Sequence, residues 1–144
     1  MSDWKNVPDN ITDYFGFVYK ITKLNAVDDE KYYYIGCKQL QKKVTKKPLK
    51  DKKRKRIEYK ESDWKNYWGS SKELLAEIEK LGEDHFKKEI LHLCTCKWEL
   101  KFLEMKEQML HNVLLDDRSW NGIVNIRLGS VPKSLKDNKH LYEI

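Results

Sequence analysis

The chain has 144 residues, enough for one domain with its own core. Five Trp, eight Tyr and four Phe exclude a disordered tail, no apolar run approaches the roughly 20 residues of a membrane span, and three Cys do not make a secreted disulfide framework, so the expectation is a protein working inside a cell, away from membrane. The net charge is +6, but residues 38–60 alone hold ten Lys with Arg54 and Arg56 against Asp51 and Glu58, a block of +10; 17 basic and 21 acidic residues remain, a balance of −4.

In chain order, residues 1–13 read as a polar lead-in. Tyr14 to Thr22 is aromatic and β-branched and predicts a strand; after the polar turn from Asn25 to Glu30, Lys31 to Cys37 predicts a second, so the two form a hairpin. The basic block follows, and its Pro48 and unbroken charge predict no packed element. Ser62-Asp63 is a candidate N-cap before the segment from Trp64 to Trp68. Gly69 interrupts, and Ser70 or Ser71 caps a helix to about Leu81, with Leu74, Leu75, Ile78 and Leu81 at helical spacing and Gly82 as its stop. Phe86 to Cys94 predicts a third strand. Lys97 to about Leu110 predicts a helix with Leu100, Leu103, Met109 and Leu110 buried. Asp116-Asp117 opens a loop, the segment from Trp120 to Leu128 is short and extended, and 129–144 is a polar tail. The order predicts an α/β (α+β) domain over residues 14–128, with a small three-stranded, mainly antiparallel sheet flanked by helices.

The local charge is the footprint of a polyanion partner, with Lys38, Lys42, Lys43, Lys46, Lys47, Lys52, Lys53, Arg54 and Lys55 as contacts. Tyr19 and Tyr34 stand on neighbouring strands. Arg54 and Arg56 are two of only four arginines, and arginine offers a phosphate a two-pronged fork where lysine offers a point charge. Glu104, on the second helix, is a hard-oxygen ligand of the kind Mg²⁺ takes. His92, Cys94 and Cys96 alternate and, with Cys37, are a rival zinc set. They lack the paired Cys-x-x-Cys spacing of common zinc sites, so buried cysteine is the expectation.

The order and spacing of Phe17-Val18-Tyr19, Tyr34-Ile35-Gly36, the run from Tyr67 to Lys72, the segment from Glu99 to Glu104, and Trp120-Asn121-Gly122 resemble the GIY-YIG nucleases over residues 14–128. The first motif departs from the family's form, reading FVY where the pattern has GIY. The resemblance implies a metal-dependent endonuclease acting on double-stranded DNA, of homing, restriction or phage DNA-degrading type, in the last case phage-encoded and acting in the host cell. It implies Mg²⁺ or Mn²⁺ held by Glu104, with Glu107 one turn on as the fallback. Tyr19 or Tyr34 would activate the attacking water with a phenol pKa lowered by nearby cations. The family's arginine falls on Arg54 or Arg56, and counting back from Ser70-Ser71 favours Arg56; Asn121 would orient a neighbouring group or touch the substrate backbone. A repair or junction-resolving nuclease and a non-catalytic nucleic-acid-binding module of the same fold are the alternatives. One active site cuts one strand, so cutting both requires a homodimer, a higher oligomer or sequential nicks.

Overall fold

The computed structural model describes residues 3–124, 126–138 and 141. Strand β1 (Gly16–Lys23) lies at the centre of a three-stranded sheet, with β2 (Tyr33–Gln39) on one side and β5 (Phe86–Cys94) on the other, both antiparallel to it. Between β2 and β5 in the chain come β3 (Gln41–Lys46), β4 (Arg56–Glu61) and helix α1 (Lys72–Leu81); helix α2 (Lys97–Leu110) follows β5. This is the expected α+β architecture.

Alternation along β1 divides the interior in two. Phe17, Tyr19 and Ile21 face α1 and pack with Trp4, Trp64, Trp68, Leu74, Ile78, Phe86, Ile90 and Trp120. Val18 faces α2 and packs with Ile35, Cys94, Leu100, Leu103 and Val113. Helix α1 starts where Ser71 accepts a hydrogen bond from the Leu74 N–H, and it ends at Gly82, whose φ of 93° lies in the left-handed region that favours glycine.

Three sequence expectations are corrected. The basic block is not featureless: β3 and β4 form a separate two-stranded hairpin, because Val44, Thr45, Ile57 and Tyr59 supply β-forming side chains between the lysines and Lys46 pairs with Glu58 across the strands at 2.8 Å. Met109 and Leu110 are 59% and 55% exposed. The buried stripe of α2 continues instead through Glu107 and Gln108, polar groups that enter because they find hydrogen-bond partners. Trp64–Asn66 makes one 3-10 turn, and Asp63 does not cap it, being drawn 2.7 Å from Lys38 Nζ. Past Asp117, the residues from Arg118 to Asn121 run along the outer edge of β2, with Tyr32 N–H donating to Arg118 O and Trp120 N–H to Tyr33 O.

The two ends are anchored. Trp4 and Ile11 are buried, and Lys5 pairs through its backbone with β5 at Lys88 and Ile90. Leu135 and Leu141 pack on the α2 side. Lys88, on β5, passes between the faces of Trp4 and Trp68 and donates to the backbone carbonyls of Lys65 at 3.0 Å and Tyr67 at 3.2 Å. Burial lowers its amine to about 8. It fixes the turn that carries Tyr67, Gly69 and Ser70 to the sheet.

Candidate active site

Tyr19 and Gly36 are partners across β1 and β2. A Cβ on Gly36 would sit 2.5 Å from the Tyr19 hydroxyl oxygen and 2.8 Å from its ring carbon, so the glycine of the second motif is required by the tyrosine of the first. Gly69, at φ 90°, closes the other side; a Cβ there would lie 3.3 Å from the same hydroxyl and 3.2 Å from the Tyr34 ring. The rings of Tyr19 and Tyr34 lie 6.2 Å apart, and Tyr67 meets Tyr19 edge-on at 6.0 Å. The Tyr67 ring stands against that of Tyr19, and Ser70 Oγ lies 3.0 Å from Tyr34 Oη.

Burial raises the pKa of all three phenols, that of Tyr19 most, and the charge of Glu104 raises Tyr34 further against the opposing bond from Ser70. The expected lowering by cations is therefore reversed. The nearby lysines are turned to other groups: Lys38 lies 4.1 Å over the Tyr67 ring with its charge toward Asp63, and Lys101 stands 3.6 Å from Cys37 Sγ and 3.7 Å from Glu104 Oε1. Both tyrosines are O–H groups at neutral pH.

Glu104 comes to the β2 edge of the sheet, where its charge acts on the Cys37 thiol and on Tyr34. Burial, then Glu104, pushes that thiol up to about 12. Glu107 goes elsewhere. It bonds His92 Nε2 at 2.8 Å and lies 3.5 Å from His111 Nδ1, and the His92 bond holds its carboxyl below the usual range. Of the two carboxylates, Glu104 is the one beside the tyrosines. A hard divalent ion takes one or two carboxylates and fills its remaining positions with water and phosphate oxygens, so a lone half-sheltered carboxylate fits an open site of that kind. Among the described residues no three His, Cys, Asp or Glu side chains stand together as a closed metal site. Of the rival zinc set, Cys94 is buried in the α2-side core and His92 is engaged by Glu107.

The arginines are not brought to this cluster. Arg56 opens β4 at the outer end of the hairpin, opposite Lys46, its Nε donating to Lys47 O at 3.4 Å. It stands about 17 Å along the strand from the hairpin's base at Glu61. Lys42, Lys43 and Lys46 lie on β3, and Lys47, Lys52, Lys53, Arg54 and Lys55 in the connecting loop. Lys38 belongs to the site rather than the arm. Asn121 is buried: its Nδ2 donates to Ile35 O at 2.7 Å and its Oδ1 accepts from Ile35 N–H at 2.9 Å. Both ends of its amide are spent on the backbone of the second motif, so it orients that strand.

Lys101, Tyr67, Ser70 and Cys37 complete the cluster. The sequence signal for them was thin: the run from Tyr67 to Lys72 marked the segment, while Lys101 shows only as a residue one helical turn before Glu104. Two recesses flank the cluster. One, of about 280 Å³, lies between Tyr34, Ser70 and Asn121; the other, of about 290 Å³, lies between Lys38, Tyr67, Lys101 and the base of the hairpin at Gln39 and Ser62.

Comparison with known proteins returns one family. The model described as "Putative endonuclease segE, GIY-YIG domain" matches residues 1–123. No curated protein matches the chain, and no solved structure does.

Proposed function

The chain belongs to the GIY-YIG endonuclease family, a nuclease domain acting on DNA, and from that premise we propose an intracellular enzyme, dependent on Mg²⁺ or Mn²⁺, that hydrolyses phosphodiester bonds in double-stranded DNA. The observation that supports this most is the meeting of Tyr34, Glu104 and Lys101 at the β2 edge of the sheet. Glu104 would hold the ion, which when bound polarises a phosphoryl oxygen and stabilises the leaving 3′ oxygen. Lys101 and Lys38 balance charge on the phosphate, in the place expected for an arginine. Tyr34 faces the reacting phosphate and orients the attacking water. Tyr19, buried beside it, holds the packing of Tyr34 and Tyr67, and Ser70 fixes the Tyr34 hydroxyl. Asn121 keeps the second motif in register. Arg56, the lysines on its face of the hairpin and those of the connecting loop contact phosphates away from the scissile one, and cutting both strands takes two such sites or two visits.

The test is cleavage of supercoiled plasmid with Mg²⁺ and with EDTA, for the wild type and for Glu104→Gln and Glu107→Gln. The wild type cuts only with the metal. Glu104→Gln loses about 100-fold or more of the rate while still retarding DNA in a gel, because the lost interaction belongs to the transition state. Cleavage that survives EDTA removes the metal from the reading. Loss of cleavage in Glu107→Gln with Glu104→Gln intact moves the carboxylate one helical turn.

A further inference from the structure

The β3–β4 hairpin carries more than charge. Its register sorts the side chains onto two faces. Lys42, Lys60, Lys46 and Arg56 stand on one, with Val44 and Glu58. Gln41, Lys43, Thr45, Ile57 and Tyr59 stand on the other, with Glu61. Ile57 and Tyr59 are 51% and 65% exposed on that second face. Three of the hairpin's four β-branched and aromatic side chains, Thr45, Ile57 and Tyr59, stand on that one wet surface, and Val44 alone stands on the other. The pattern is that of a face made for contact.

We propose that this hairpin enters the major groove of duplex DNA as a two-stranded ribbon and that its second face reads base edges there. The inference rests on the nuclease reading and adds the element that selects the site. Shape supports it. Two paired strands lie about 4.8 Å apart and six residues run about 20 Å, a size the roughly 12 Å major groove admits and the roughly 6 Å minor groove does not. Charge supports it as well: residues 41–61 hold eleven Lys and Arg against Asp51, Glu58 and Glu61. Such a ribbon is drawn to phosphate and repelled by a basic partner. Position supports it too. The hairpin forms its own sheet and is tied to the body at its base, where Ser62 N–H donates to Leu40 O and Ser62 Oγ to Gln39 O. That base lines the same recess as Lys38, Tyr67 and Lys101, so a duplex seated at the site meets the ribbon next. A lone two-stranded ribbon is only marginally stable in water, and a groove would supply its missing support. Chemistry completes the fit: Lys43 donates to guanine O6 and N7, Gln41 pairs with adenine, and the Thr45 and Ile57 methyls meet the thymine methyl.

The experiment has two arms. In the first, cleavage positions are mapped on one long DNA for the wild type, for Ile57→Thr/Tyr59→Thr, and for Lys47→Gln/Lys52→Gln/Lys53→Gln/Lys55→Gln. The face variant redistributes cutting among sites by on the order of tenfold, the worth of a lost base contact. The lysine variant weakens all sites alike. In the second arm, guanine N7 is probed with dimethyl sulfate on DNA bound by wild-type protein in EDTA. Protected N7 atoms mark the ribbon in the major groove, and they become reactive when a short Gly-Ser turn replaces residues 41–61. A wild-type map without site preference, a face variant that cuts where the wild type cuts, or N7 atoms that stay reactive overturns the proposal. The hairpin is then a phosphate clamp, or, where DNA does not bind it at all, a surface for an acidic protein. If no DNA is cut but N7 is protected, the nuclease reading fails and the ribbon stands.

Discussion

Tyr19 and Tyr59 are the same residue type on strands of the same protein, and they live under opposite conditions. Tyr19 is 1% exposed, with Gly36 against its hydroxyl and Tyr67 against its ring edge. Tyr59 stands in water on a hairpin tied down at one end. Around the first, atoms are fixed by close packing, the condition under which dipoles and charges aimed at a reacting group are worth most. Around the second, atoms are left free to adapt to a large, irregular partner. On the proposed reading, a change at the site in the body acts on rate, while a change in the hairpin acts on affinity and choice of site.

The widest separation between the two regions comes from their cations. Lys101→Met should lower single-turnover cleavage about 10- to 100-fold with DNA affinity nearly kept, since it removes the charge beside Glu104. Arg56→Lys should leave both within about twofold, as expected of an exposed charge contacting the backbone. If Arg56→Lys loses turnover instead, the hairpin folds onto the site when DNA binds, and the comparison breaks. A smaller contrast follows from removing one oxygen. Tyr34→Phe should slow cleavage about tenfold with the melting temperature little changed, while Tyr59→Phe should not slow it. Equal rates for the two variants would leave Tyr34 as a packing residue. Smaller again is the effect of changing Lys46, Lys47, Lys52 and Lys53 to Gln. A salt series of binding constants should show the slope of log K against log salt flattened by up to about 3.6, at about 0.9 per lost contact. An unchanged slope would take those lysines off the DNA.

The smallest effect lies in the body, at Lys88. Burial holds its amine at about 8, below the roughly 10.4 of an unfolded chain. Between those values the unfolded state binds more protons, so raising the pH through that window stabilises the native chain; below pH 8 the cost of the buried charge is present in full. Urea unfolding at pH 7.5 and 9.5 should show the wild type gaining on Lys88→Met at the higher pH. A gain at the lower pH would mean that the two carbonyls and two indoles fully offset the burial.

The elements of the body were legible in their side chains. Aromatic and β-branched runs marked β1 and β2, a short apolar run marked β5, and Ser71, Gly82 and the spacing of Leu74 and Ile78 marked α1. The hairpin was not, because lysine at nearly every second or third position masks Val44, Thr45, Ile57 and Tyr59 in any measure of hydrophobicity. Met109 and Leu110 misled for the opposite reason: apolar residues in the last turn of α2 point away from the sheet, while hydrogen bonds carry Glu107 and Gln108 inward. In the site, Tyr19, Tyr34 and Glu104 are named by motif and do stand near one another. Lys101 and Tyr67 are not named, because what makes them members is distance across the fold, to Cys37 and to Tyr19, and no local pattern encodes it. Arg56 was named by counting along a segment whose residues turned out to lead away from the body.

Asn121 grips Ile35 across 86 positions of chain. A ribosome adding about 5–20 residues each second needs roughly 4–17 s to travel that far. For those seconds a nascent chain holds both tyrosine motifs already made, on a strand whose outer edge has nothing to close it. Long-range closures of this kind come late in folding, since the entropy of the intervening loop must be lost first. The setting of the second motif is thereby delayed until the segment at Asn121 is made, and a molecule interrupted before it carries the motifs without the clasp that sets them.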